Sequence, residues 1–306
     1  MKKDLLSIKD LTPDEINSIF KLTAQLKRNK KKFSKVLSGK SLALIFQKPS
    51  NRTRVSFEVG MYQLGGNSLY LSPAEINIGV RESIKDVAKT ICRYVNGIVL
   101  RTYEHKNCLD MASSATVPII NGLSDYSHPC QALADLFTVK EKLKNFKNVV
   151  LAYVGDGNNV CNSLLFAAAK TGMNMNVASP KGYAPAQEVV KQAQIFAKEA
   201  GSRITMFEDP VSAVKGAGVV YTDVWASMGQ EEEVSKRKII FKDFQINAKL
   251  LTNAASQVLV MHCLPAHRGE EITDEVMDSK NSIVFDQAEN RMHVQKAILI
   301  KLLGRN

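Results

Sequence analysis

Seven short stretches hold side chains suited to chemistry. The first is Ser50-Asn51-Arg52-Thr53-Arg54, which follows an apolar run and opens a helical pattern. Free backbone N–H groups and the positive end of a helix dipole attract an anion at such a place. Ser50 and Thr53 add hydroxyl donors, and Arg52 can fork onto two oxygens of one phosphate. The same residues also fit a plain N-cap with two surface arginines, so spacing alone leaves both open. Arg101 ends a second apolar run. It is well placed for an anion there, although most arginines simply face solvent. In His128-Pro129-Cys130-Gln131 the proline suits a first helical turn, which leaves His128 at the cap, facing outward. His128 and Gln131 lie three apart on one face and can hold one carbonyl or amide group.

Gly155-Asp156-Gly157-Asn158-Asn159 imitates the start of a dinucleotide fingerprint. Residue 160, where the third glycine belongs, is Val160, which opposes nicotinamide binding. Asn158 and Asn159 at a strand end suit a zwitterionic ligand instead. Asp223, in Asp223-Val224-Trp225-Ala226-Ser227-Met228-Gly229, can bind an ammonium group or be an ordinary loop acid. His262-Cys263-Leu264-Pro265 pairs a thiol with an imidazole. Neighbours on a strand point to opposite faces, however, so a Cys/His dyad is poor there and Cys263 reads as a polar wall. Arg291, in Glu289-Asn290-Arg291-Met292-His293, offers a further arginine. His262 and His267 are five apart with Pro265 between them, so they cannot form a zinc-binding pair on one helix, and no metal is expected.

These residues need elements to position them. Thr12-Pro13-Asp14-Glu15 is a capping-box start, followed by Ile16, Ile19, Phe20 and Leu26 at helical spacing. Short apolar runs at 41–46, 67–71, 97–100, 117–120, 148–154, 174–178, 204–207, 218–222 and 258–261 predict strands. Helical patterns at 52–64, 83–94, 129–143, 159–170, 184–200 and 284–303 alternate with them. Such alternation predicts an α/β fold of two doubly wound domains, each with a central parallel sheet, linked by helices. The expected domains are 1–135, with the C-terminal helix 284–306 packing back on it, and 148–283. The stretch 223–243 is the least regular and reads as a mobile loop. Chemistry-bearing residues in this architecture belong just after strands, where these lie.

The chain has 306 residues, 45% of them hydrophobic, enough for two domains. No apolar run reaches membrane-spanning length and no signal peptide is visible, so a soluble chain is expected. The net charge is +11. Residues 1–40 alone hold eleven Lys or Arg against four Asp or Glu, which reads as a solvated helix face. Aromatics are 7% and no RNA- or DNA-binding pattern appears, so neither nucleic acid nor membrane is an expected partner. The five cysteines form no CxxC pair. That argues for a reducing, cytoplasmic compartment.

Taken together, SxRTR at 50–54, HPxQ at 128–131, DxxxSMG at 223–229 and HCLP at 262–265 resemble the aspartate/ornithine carbamoyltransferase family, in its order and along essentially the whole chain. The SMG element and the cysteine of HCLP lean towards ornithine as the acceptor. Asn51 departs from the Thr or Ser usual in the first motif, though an amide still donates. The resemblance implies transfer of a carbamoyl group from carbamoyl phosphate to the δ-amine of L-ornithine, giving L-citrulline in arginine biosynthesis, with no cofactor. It implies carbamoyl phosphate contacts from Ser50, Asn51, Arg52, Thr53, Asn77, Arg101, His128, Gln131 and Arg291. For ornithine it implies Asn159, Asp223, Ser227 and Met228, with Cys263 and Leu264 as a wall. Arg101, His128, Asp223 and Cys263 would act in catalysis, and a homotrimer is expected. The rival expectations are putrescine, N-acetylornithine or aspartate as acceptor, a nicotinamide-dependent dehydrogenase, and a basic nucleic-acid binder.

Overall fold

The structure is a computed structural model that describes residues 3–76, 78, 81–226 and 231–304. The chain folds as two compact units, Met1–Ala134 with Asn290–Asn306, and Asp135–Glu289.

In the first unit a parallel sheet is built from β1 (Ser41–Phe46), β2 (Asn67–Leu71), β3 (Gly97–Arg101) and β4 (Ile119–Leu123), in the order β2-β1-β3-β4. β1 reads Ser-Leu-Ala-Leu-Ile-Phe, and every residue from Leu42 to Phe46 is buried. A strand covered on both faces needs such a continuous apolar run. The chain leaves β1 for β2 on one side and then crosses to β3 on the other. Strand order therefore reverses between β1 and β3, and ligands in open α/β sheets bind at such a reversal, beyond the carboxyl ends. The register sets Phe46 beside Arg101. The backbone N–H of Gln47 then donates to the Arg101 carbonyl at 2.7 Å, prolonging the pairing past the strand.

The second unit repeats this plan with β5 (Val150–Val154), β6 (Asn174–Ala178), β7 (Ile204–Phe207), β8 (Val219–Thr222) and β9 (Leu259–His262), all parallel, in the order β7-β6-β5-β8-β9. Its reversal lies between β5 and β8. There Tyr153 pairs with Tyr221, their rings stacked at 5.9 Å, and the Thr222 hydroxyl donates to the Val154 carbonyl at 2.7 Å.

Local signals act as the sequence predicts at several helix starts. Thr12 and Glu15 close a capping box on the helix Pro13–Arg28. Ser50 caps the helix Asn51–Gln63, and Asn158 caps Asn159–Thr171, which ends on Gly172 at φ 75°. Other boundaries differ. β3 extends to Arg101 and β9 to His262, and β4 is 119–123 rather than 117–120. The helix expected at 83–94 is Ile84–Ile91. A helix at His105–Ser114 was not expected, because only Cys108 and Met111 of its ten residues are buried and its apolar pattern is thin.

The expected loop at 223–243 needs correcting. Val234–Ile240 is a helix, preceded by a 3-10 turn at Glu231–Glu233 and followed by one at Lys242–Phe244. The run Lys236-Arg237-Lys238 conceals a buried arginine between two lysines on the outside. Among the described residues no helix is long and apolar enough to cross a membrane.

Candidate functional site

The first cluster forms within the first unit, at the β1/β3 reversal. Thr53, in the first turn of the helix Asn51–Gln63, is fully buried. Ser50 caps that turn, accepting from the Thr53 N–H at 3.3 Å, and its own hydroxyl donates to Thr53 Oγ1 at 3.0 Å. Arg291, brought in by the helix Val284–Leu303, donates from Nη2 to the same Oγ1 at 2.6 Å. Arg101 stands at the end of β3, buried, and its Nε has no hydrogen-bond partner among the described residues. Its guanidinium is pushed down to about 9, first by burial and then by the positive charges of Arg291 and Arg52. Arg101 thus feels two like charges from Arg291 and Arg52, and a bound anion would relieve that repulsion.

His128 lies in the same cluster. Outward placement is incorrect, because the side chain is buried. The loop before it folds back on β4: the Ser124 N–H donates to the Ser127 carbonyl at 3.0 Å, and Asn121 Nδ2 donates to that carbonyl at 3.2 Å. Burial, followed by Arg291, Arg101 and Arg52, holds the imidazole well below its usual range. It is therefore neutral at pH 7 and able to donate a hydrogen bond without adding charge. Gln131 is buried one turn on, while Asn51 and Arg52 are exposed at the helix start. Arg54 turns away to Glu58 at 3.0 Å and over the Tyr70 ring. Asn77 lies outside the described residues. Gln47 escaped the sequence reading. Its Oε1 accepts from the Thr102 hydroxyl and from the Tyr103 N–H at 3.3 Å, steadying the segment that follows Arg101.

The second cluster forms within the second unit, at the β5/β8 reversal. Asp223 follows β8 and is buried. Asn158 Nδ2 donates to its Oδ2 at 2.8 Å, and the Val224 N–H donates to Oδ1 at 2.8 Å. The Cys263 thiol donates to Oδ1 at 2.9 Å. Burial, with Asp223 next, pushes that thiol well above its usual range, so Cys263 stays protonated and is a poor nucleophile. His262 is directed elsewhere. The Leu264 N–H donates to its Nδ1 at 2.9 Å, so Nε2 carries a proton and donates to Glu271 at 3.0 Å. No dyad with Cys263 exists. Asn159 is half-buried in the first helical turn, and Leu264 is half-buried. Ser227 and Met228 lie outside the described residues. Both asparagines stand at this strand end as the sequence suggests, but the family resemblance carries only Asn159 to ornithine, whereas it is the Asn158 side chain that both caps the helix and reaches Asp223.

Asp223, His262 and Cys263 bring an oxygen, a nitrogen and a sulfur within 4.8 Å of one another. Both nitrogens of His262 are engaged and the thiol is held protonated, which leaves a poor donor set for a cation. Gly157 has a packing reason to be glycine: a Cβ there would lie 2.2 Å from the Pro185 nitrogen.

A family model described as aspartate/ornithine carbamoyltransferase, carbamoyl-P binding domain, matches residues 3–141, and one described as the Asp/Orn binding domain matches residues 147–302. The chain is 53% identical over 304 residues to an ornithine carbamoyltransferase of Pyrococcus horikoshii, covering 99% of this chain and 96% of that protein. It is 52% identical over 304 residues to one of Pyrococcus furiosus named anabolic, covering 99% and 96%. A solved ornithine carbamoyltransferase from Pyrococcus furiosus superposes with a TM-score of 0.96 at 52% identity, covering 99% of this chain and 97% of that one.

Proposed function

The chain belongs to the aspartate/ornithine carbamoyltransferase family, and on that premise we propose that it makes L-citrulline and phosphate from carbamoyl phosphate and L-ornithine, as a step of arginine biosynthesis. The observation that carries this reading is the Arg291 guanidinium bound to buried Thr53 at the start of the helix Asn51–Gln63, beside buried Arg101 and a buried His128 held neutral by its surroundings. Ser50, Asn51, Arg52 and Thr53, with Arg101 and Arg291, take the phosphate. His128 and Gln131, with Asn77, take the carbamoyl end. Asp223 and Asn159, with Ser227 and Met228, hold ornithine, and Cys263 and Leu264 wall the site.

The δ-nitrogen forms a bond to the carbonyl carbon, the carbon–oxygen bond to phosphate breaks, and the proton the nitrogen loses ends on the departing phosphate. Arg101 and His128 stabilise the oxyanion between these events, an effect of about 3–4 kcal/mol for a well-placed donor. Arg52 and Arg291 neutralise the departing phosphate. Asp223, steadied by the Cys263 thiol, orients the amine. Holding both reactants in line supplies much of the rest.

The acceptor is decided by assaying carbamoyl transfer to ornithine, putrescine, N-acetylornithine and aspartate in parallel. Ornithine is expected to give the highest kcat/KM. A higher value for another amine would move the chain to a different member of the family.

Assembly and compartment belong to the same proposal. Val55, Val59 and Tyr62 form an exposed apolar row on one face of the helix Asn51–Gln63, and Leu69 is exposed on the edge strand β2. Such a row fits a face covered in a homotrimer. Light scattering should give three times the chain mass, and Val59→Asp should lower it. All five cysteines are free, as a reducing cytoplasm favours.

A further inference from the structure

Arg237 takes no part in the scheme above, yet it is buried and ties together three pieces of the second unit. Its Nη1 lies 3.1 Å from Asp156 Oδ1, in the turn after β5, and donates at 2.8 Å to the carbonyl of Trp225, two residues beyond Asp223. Its Nε donates to Glu233 at 2.8 Å. The guanidinium lies over the Tyr183 ring at 4.8 Å, and Trp225 stacks on Phe241 at 6.0 Å. Asp156 belongs to the same turn as Asn158, whose N–H donates to the Asp156 carbonyl at 2.8 Å. The Asn158–Asp223 hydrogen bond therefore has Arg237 attached on both shoulders, through Asp156 on one side and Trp225 on the other.

We propose that Arg237 is a positioning residue for the amine substrate: by clamping Asp156 and the Trp225 carbonyl together, it sets the distance between Asn158 and Asp223 and so the orientation of the carboxylate. This rests on the reading that Asp223 receives ornithine. A lysine keeps the charge but lacks the second nitrogen, Nε, through which Arg237 is anchored to Glu233 while Nη1 serves Asp156 and Trp225. The clamp is separate from the arginine cluster of the first unit, so its loss should touch one substrate only.

The test is steady-state kinetics of Arg237→Lys, Asp156→Asn, Arg237→Gln and the Arg237→Gln/Asp156→Asn double variant. Ornithine KM should rise about tenfold in Asp156→Asn and Arg237→Gln while the carbamoyl phosphate KM stays within about twofold. Arg237→Lys should recover part of the loss. The double variant should be no worse than the poorer single one, because both break the same contact. Trp225 is the sole tryptophan, so its emission should shift to the red in the ligand-free variants. Arg237→Lys and Asp156→Asn preserve the packing, so the outcome stands even where Arg237→Gln does not fold. Equal rises in both KM values, or additive losses in the double variant, would overturn the clamp. Asp223→Asn run alongside separates the two ideas. If it raises ornithine KM and the clamp variants do not, only the clamp fails; if it too leaves ornithine KM unchanged, the assignment of ornithine to Asp223 fails as well.

Discussion

Thr53 shows how one side chain gains a second role from the fold. Its place in a phosphate-type turn is legible in the sequence as a hydroxyl donor. Its role as acceptor for Arg291 is not, because 238 residues separate them. Thr53→Val keeps the shape and removes that acceptor. A hydrogen bond to a charged group contributes about 1.5–3 kcal/mol, so the carbamoyl phosphate KM should rise about tenfold or more in initial-rate assays while the ornithine KM holds. Cys263 makes the opposite point. Its neighbour in sequence is a histidine, but its partner is Asp223, and that contact with burial keeps the thiol protonated. Iodoacetamide at about pH 8 should label Cys263 far more slowly than a free peptide thiol of ordinary pKa. Mass spectrometry reads the modified fraction, and rapid labelling would show a thiolate incompatible with this geometry.

At the scale of elements, the turn after β5 joins local chemistry to the site. Asn158 Oδ1 accepts from the N–H groups of Val160 and Cys161, while its Nδ2 reaches Asp223. Asn158→Ala should cost about 1 kcal/mol of stability through the lost cap and also raise ornithine KM; denaturant melts and kinetics separate the two effects. Gly157→Ala should be far more damaging, since the added methyl meets the backbone of Pro185. Loss of soluble protein, or a large drop in melting temperature, is expected. The cap after a strand could be read from residue types. The helix Val234–Ile240 could not, because its charge run looks solvated and only a partner at Asp156 explains the burial of Arg237.

For the whole molecule, the burial of His128, reinforced by the arginines around it, makes stability depend on pH with a definite sign. His128 is held well below its usual 6.5 in the folded chain, whereas the unfolded chain titrates near about 6.5. Below that pH the unfolded state binds a proton that the folded state refuses. The contribution is therefore fully present above about pH 6.5 and is lost as the pH falls, at up to about 1.4 kcal/mol per pH unit. Urea midpoints taken between about pH 7.5 and 5.5 should fall less steeply for His128→Gln than for the parent chain. Identical slopes would mean that His128 titrates normally in the fold. The sequence by itself determined the alternation of strands and helices, the caps, and the placing of reactive residues after strands, because these follow from residue types within a few positions of one another. Only the tertiary structure decided that β1 lies beside β3 and β5 beside β8. Strand order is set by which faces are buried, a property of the assembled sheet. That order draws Arg101, Thr53 and Arg291 into one cluster and Asn158, Asp223 and Cys263 into another.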